Sequence, residues 1–331
     1  MRRFLLRVEG GGPIGLGHVV RSRHLADKLV QKGLDCAGLW CDCEVSIVEN
    51  IWKGMDNVVR VLDNSAAYDA IYHDNLELLI VDQRTDFAPI CRELKAHVPS
   101  LLTVALDPPV IDSTAFDIVI SLFSHGTECF VDYDPKRHFC GIEYAIIRSE
   151  FLTRTIRPVD CDISNLLVTC GGTDPSRVTV TIVNALQKMA PLPFQVNVVI
   201  GPGFKNADEV KAAASGFNIY ENVANISQLM EDCDLGIVSS GSTLMEMCLM
   251  GRPTLSFAHN AAEERFAQYF HNRGATKFMG LAEKLDQMNV VNSLKALCRD
   301  RTVRKQMSEL GVKLIDGRGI ERVVQLVNCM R

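Results

Sequence analysis

The 331-residue chain has no apolar run approaching the ~18 residues that span a bilayer. Nor has it a basic surplus. Its 35 Lys and Arg stand against 40 Asp and Glu, a formal charge of -5, and no Lys/Arg run is present that would grip a phosphate backbone. A membrane-spanning protein and a nucleic-acid binder are thereby set aside. Clustered metal ligands are lacking too. The twelve cysteines are scattered, and the close pair Cys41-Asp-Cys43 has neither a matching second pair nor the histidine partners of a zinc site. They read as reduced, mostly buried thiols, and no metal and no cofactor are expected. The N-terminal stretch MRRFLLRVEGGG is basic, but its apolar part is short and runs into Glu9. It reads as a first buried strand rather than a signal peptide, and the expected location is the cytoplasm.

What the chain does have is a core. Hydrophobic residues make up 47% and charged residues 23%, enough apolar surface for globular domains, and the length suggests two at roughly 150 residues each. Short apolar strands alternate with helical spacing. Phe4–Val8, Ala37–Trp40, Asn57–Leu62, Leu76–Val81 (ending at Asp82), Leu101–Leu106 (ending at Asp107) and Phe116–Ser121 read as strands. His18–Lys32 between the first two has apolar residues at helical spacing and stops at Gly33. An irregular region at 150–164 reads as a linker, after which the pattern restarts. Asn165–Thr169, Gln195–Ile200, Leu235–Val238 and Pro253–Phe257 read as strands, Val178–Met189 and Ala262–Arg273 as helices, and the tail from Leu281 as largely helical. The expectation is two α/β domains, 1–155 and 156–331, each built on a parallel sheet covered by helices and facing the other across a cleft.

Three glycine-rich loops follow strands. Ser240-Gly-Ser-Thr243 opens a helix, where free backbone N–H groups and the positive end of the helix dipole suit a diphosphate. Glu246, three residues on, reads either as the far end of a capping box or as an acceptor for a ribose hydroxyl. Gly171-Gly-Thr-Asp174 is similar, although Asp174 before Pro175 also reads as a plain N-cap. The first loop, GGGPIGLGHVVR from Gly10 to Arg21, ends in a histidine. His18 is either a packing residue at a helix start or, beside glycines that let a ligand approach, a base toward water. The dinucleotide fingerprint is absent here, since His18, Val19 and Val20 follow Gly15-Leu-Gly17.

Taken together, Gly15-Leu-Gly-His-Val-Val-Arg21, Gly141-Ile-Glu-Tyr-Ala-Ile-Ile-Arg-Ser-Glu-Phe151, Cys170-Gly-Gly-Thr-Asp-Pro175 and Ser239-Ser-Gly-Ser-Thr-Leu-Met-Glu246 with Gly251-Arg-Pro253 resemble the UDP-sugar hydrolases of pseudaminic acid biosynthesis. The resemblance runs in order from about Phe4 to Ala275. It implies a GT-B fold and hydrolysis of UDP-2,4-diacetamido-2,4,6-trideoxy-β-L-altropyranose, with inversion at the anomeric carbon. It implies His18 as the catalytic group that activates water, with Gly15, Gly17 and Arg21 beside it at the sugar. It places the pyrophosphate at Ser242 and Thr243 and the ribose at Glu246, with Ser240, Gly241 and the loop Gly171, Gly172, Thr173 and Asp174 also at the ligand. The chain departs from the family pattern at Glu9, at Gln83-Arg84, at Asp107-Pro-Pro109 and at Ala258–Glu264, mostly on the sugar side. The competing expectations are a GT-B glycosyltransferase, in which an acceptor hydroxyl replaces water, and a nucleotide-sugar-binding protein without turnover.

Overall fold

The structure is a computed structural model and describes residues 2–10, 16–53, 61–109, 112–122, 133–159, 162–223 and 225–329. The chain divides into two compact units, Met1–Ile146 with Gly317–Arg331, and Ile147–Asp316.

In the first unit β1 (Arg3–Val8), α1 (Gly17–Gln31), β2 (Asp35–Cys41), α2 (Val45–Trp52), β3 (Val61–Leu62), α3 (Asn64–His73), β4 (Leu78–Asp82), α4 (Ala88–His97), β5 (Leu102–Leu106), β6 (Ile118–Ser121) and β7 (His138–Cys140) follow one another. The strands form one sheet in the order β3-β2-β1-β4-β5-β6-β7, and every pairing in it is parallel. β1 and β4 lie side by side with Val8 opposite Asp82. Their near-continuous apolar composition is what a strand covered on both faces requires. The expected strand at 57–62 is seen as Val61–Leu62, and residues 57–60 lie outside the described part.

The second unit contains α5 (Ser149–Leu152), β8 (Asn165–Thr169), α6 (Val178–Gln187), β9 (Gln195–Ile200), α7 (Ala207–Ala213), β10 (Asn218–Glu221), α8 (Ile226–Asp232), β11 (Leu235–Ser239), α9 (Ser242–Leu249), β12 (Thr254–Ala258), α10 (Ala261–Asn272), β13 (Lys277–Leu281), α11 (Gln287–Arg299) and α12 (Arg301–Leu314). Its sheet runs β10-β9-β8-β11-β12-β13, again all parallel. Counted from its own first strand this is the order 3-2-1-4-5-6, which the first unit also shows and then extends by β7. It is the order of doubly wound nucleotide-binding sheets. Its switch point lies between the first and fourth strands, and ligands sit beyond the carboxyl ends there.

The division differs from the expected one in two places. The segment after Ile146 belongs with the second unit, because Phe151 is buried there, Arg154 reaches Ser227 Oγ at 3.0 Å and Glu231 at 2.8 Å, and Arg157 reaches Asp234 at 3.3 Å. The last helix, α13 (Gly319–Cys329), belongs with the first unit. Its apolar face, Ile320, Val323, Val324 and Val327, enters the cluster formed by Phe4, Leu6, Leu25 and Leu29. Lys28 pairs with Glu321 at 2.8 Å, and Arg322 Nη1 donates to Glu143 O at 2.8 Å.

No helix among the described residues is long and apolar enough to cross a membrane. Burial pushes the thiols of Cys41 and Cys91 up to about 11, which keeps them protonated at neutral pH.

Candidate functional site

In the first unit the candidate site is built at the β1–β4 switch point. α1 begins at Gly17 with no side-chain cap, so His18 stands in its first turn, while Gly15 lies outside the described residues. Arg21 and Ser22, three and four residues on, fall on the same helix face. All three side chains converge on Asp82, the last residue of β4, which is fully buried. His18 Nδ1 lies 2.6 Å from Asp82 Oδ1, Arg21 Nε donates to Asp82 Oδ2 at 2.6 Å, and Ser22 Oγ donates to the same oxygen at 3.1 Å. Arg21 Nη2 closes on Asp82 Oδ1, making the pair two-pronged. Arg21 Nη1 also lies 4.0 Å from Asp107 Oδ2 at the end of β5.

The electrostatics follow from this geometry. Burial alone would push the Asp82 carboxyl up, but Arg21 and His18 outweigh it and hold the group well below the usual carboxylate range. Burial works against the Arg21 charge in the same way, and Asp82 again prevails, so Arg21 stays charged. An ionised Asp82 accepts at Nδ1, which therefore carries the imidazole proton. The Nε2 atom is left with the lone pair a base needs.

Around this dyad Glu9 and Gln83 are tied into the turn that follows β4. Buried Glu9 accepts from Arg84 N at 2.7 Å, from Thr85 N at 3.2 Å and from Thr85 Oγ1. Buried Gln83 accepts from Arg7 Nε at 2.9 Å and donates to Thr85 O at 3.0 Å. The turn after β4 is thus held by the side chains of Arg7 in β1 and of Glu9 just beyond it, and it carries Arg84, whose Nε lies 3.3 Å from His18 Nε2.

In the second unit two of the expected loops meet at the β8–β11 switch point. Gly171 has φ 79°, and a Cβ there would stand 3.5 Å from Ser239 Oγ and 3.9 Å from Thr243 Oγ1. Gly241 is the N-cap of α9 at φ 147°, ψ -145°, a conformation nearly reserved for glycine, and a Cβ built on it meets no atom within 4 Å. The first turn of α9 has no side-chain cap, so the N–H groups at Ser242 and Thr243 face an open approach. Ser240 points the other way. Its N–H and its hydroxyl both donate to Phe257 O at 2.8 Å, tying the loop to β12.

Asp174 is buried, and its two oxygens accept from Val178 N at 2.9 Å and Thr179 N at 3.0 Å. It satisfies the amides at the start of α6, as a cap does, but the helix begins at Val178 rather than at Pro175. Gly172 O accepts from Gly203 N at 2.8 Å, and Thr173 packs on Gly203, so these two residues brace the loop after β9.

Glu246 is not the end of a capping box. With Gly241 as N-cap it lies in the second turn of α9, 1% exposed, and Arg148 holds it by two parallel bonds, Nε to Oε1 at 2.6 Å and Nη2 to Oε2 at 2.7 Å. Arg148 also stacks over Phe151 at 4.8 Å and lies 3.4 Å from Glu150. Sequence reasoning missed Asp82, Arg84 and Arg148 as site residues. Asp82 was visible as a strand end, and Arg148 inside the stretch 141–151, but the pairing of each depends on strand adjacency or on a contact far along the chain.

The fold defined by these two sheets is that of the GT-B proteins, a pair of Rossmann-like units. Acinetobacter baumannii MurG matches the whole chain over its own whole length, with a TM-score of 0.70 at 14% identity. The S. aureus MnaA–UDP co-structure matches 99% of this chain and 96% of its own, with a TM-score of 0.67 at 13% identity. At such identities the likeness is one of fold. No family model matches the sequence. Among curated proteins, MJ1062 of Methanocaldococcus jannaschii, an uncharacterised protein, is 27% identical over 301 residues. The match covers 85% of this chain and 61% of that protein, so the chain spans about three-fifths of the relative's length. The spore coat polysaccharide biosynthesis protein SpsG of Bacillus subtilis is 23% identical over 337 residues, covering 96% of each chain.

Proposed function

We propose that the protein is a UDP-sugar hydrolase of surface-polysaccharide biosynthesis, of the pseudaminic-acid type, acting in the cytoplasm. The observation that carries this reading is the 2.6 Å contact of His18 Nδ1 with buried Asp82, which leaves Nε2 as the proton acceptor. In the reaction a water gives its proton to Nε2 while its oxygen bonds to the anomeric carbon. The bond from that carbon to the diphosphate oxygen breaks, UDP leaves with the electron pair, and configuration inverts. Asp82 stabilises the imidazolium that forms, and Arg21 holds Asp82 in place.

In the second unit the uncapped start of α9, with Gly241, Ser242 and Thr243, takes the diphosphate, and Gly171 lines the approach. The free N–H groups there stabilise charge gathering on the leaving group. Glu246 takes the ribose. A carboxylate offers about four acceptor sites, and Arg148 uses two of them, so hydroxyl donors still find places. The role of SpsG in spore coat polysaccharide biosynthesis and the UDP bound to MnaA support the substrate class.

The test is UDP release from a panel of UDP-sugars without acceptor, run with wild type and His18→Ala side by side. The panel includes the diacetamido-trideoxy altrose nucleotide and UDP-N-acetylglucosamine. Release by wild type alone is expected. No release with UDP still bound moves the reading to a glycosyltransferase awaiting its acceptor or to a binding protein. No binding of UDP overturns it.

A further inference from the structure

The proposed base is covered in this structure. His18 is 5% exposed, and Arg84 Nε directs its N–H at Nε2 from 3.3 Å. A lone pair held by a guanidinium cannot take a proton from water, so the side chain of Arg84 must leave before His18 can act.

Two observations say what draws it off. The first is the contrast among the arginines of this region. Arg7 pairs with Asp42 and Arg21 with Asp82, but among the described residues no carboxylate pairs with Arg84. Its side chain is exposed, and its planar fork is free to take an oxyanion in two-pronged fashion. The second is that its backbone is fixed. Buried Glu9 holds Arg84 N and Thr85 N, and Gln83 is held by Arg7, so only the side chain has room to swing. A rigid turn that presents one unpaired guanidinium to the base is a built arrangement.

We propose that Arg84 binds an oxyanion of the ligand and in doing so uncovers His18 Nε2, so that the base is freed only when a charged ligand is present. The oxyanion is either a carboxylate on the sugar or a phosphate of the nucleotide. This rests on the reading of His18 as the base, and it extends that reading to the class of group the first unit recognises.

The experiment reads His18 itself, by the 15N shift of its Nε2 in wild type, Arg84→Gln and Arg84→Lys at fixed pH. The probes are glucuronate, inorganic pyrophosphate and, as a neutral control, glucose. In wild type at least one of the anions moves Nε2 and glucose does not. The anion with the lower half-saturation names the source, glucuronate for a sugar carboxylate and pyrophosphate for the nucleotide. Half-saturation rises at least tenfold in Arg84→Gln, and Arg84→Lys recovers part of it through charge alone. An Nε2 that ignores both anions, or that responds equally in Arg84→Gln, overturns the proposal.

UDP binding to the same wild-type sample is measured by calorimetry. UDP binding without an Arg84-dependent shift sinks this inference and leaves the hydrolase reading standing. The shift without UDP binding does the reverse.

Discussion

Arg148 and Glu246, 98 residues apart, face each other through two parallel hydrogen bonds of 2.6 and 2.7 Å. The carboxylate is buried, while the guanidinium keeps some exposure and stacks on Phe151. Removing one partner of a buried pair leaves the other without compensation, at a cost of about 3–5 kcal/mol. Arg148→Met is therefore expected to lower stability by that order in urea unfolding. The double change with Glu246→Met is expected to recover much of the loss, while UDP affinity falls in Glu246→Met alone and in the double variant. Equal UDP affinity in all three would remove Glu246 from the ribose.

Asp82→Asn tests the dyad. The amide cannot hold His18 in the same tautomer with the same charge, so turnover is expected to fall by ~10²–10⁴-fold, the range a positioned base supplies. Its effect on stability depends on pH with a definite sign. The folded carboxyl is held below its unfolded value of about 3.9, so its contribution is complete above that value. It is lost as pH falls through the acid range toward the folded value. Wild type is thus expected to exceed Asp82→Asn in stability at pH 7, and the gap to close below pH ~4. A gap that stays constant down to pH 2 would show that the ion pair is not its source.

Gly241→Ala separates folding from binding. The methyl meets no protein atom, so the folding cost is that of the backbone conformation alone, about 1–3 kcal/mol. The same methyl projects into the space before the first turn of α9, and UDP affinity is expected to drop at least tenfold by calorimetry. Full affinity in a folded variant would place the diphosphate elsewhere.

Asp174→Ala gives the opposite pattern. Both oxygens serve the amides of Val178 and Thr179, and losing a cap costs about 0.5–2 kcal/mol. The melting temperature is expected to fall while UDP affinity stays within a factor of two. A large loss of affinity would return Asp174 to the ligand.

Much of this fold was legible in the chain. Central strands such as Asn165–Thr169 and Gln195–Ile200 stand where their apolar runs put them, because both faces of such strands are covered. Three of the four strands at the sheet edges, β7, β10 and β13, were not legible. They are short and only partly buried, and a strand paired on one side needs less apolar sequence. The site was legible as loops, not as contacts. His18 and the Ser-Gly-Ser-Thr turn show in the sequence because glycines mark strand-to-helix turns. Asp82 acquires its meaning only when the chain crosses over to lay β4 beside β1. Ser240 and Asp174, expected at the ligand, bond backbone groups in the structure, a contact the sequence did not show, since a hydroxyl or carboxylate in a turn serves a free amide or carbonyl as well as a ligand.

The return of α13 to the first unit sets an order of events during synthesis. The second unit is one unbroken stretch, Ile147–Asp316, and all of it leaves the ribosome before Gly319 does. The sheet that carries His18 precedes the second unit in the chain, yet the helix that covers Phe4, Leu6 and Leu25 follows it. The nascent chain therefore holds an incomplete apolar face for the time taken to make some 170 intervening residues, about 10–35 s at bacterial or eukaryotic elongation rates. The glycine turn that opens α9 is finished during that interval, and the unit bearing the proposed base becomes whole only after the second unit has been made.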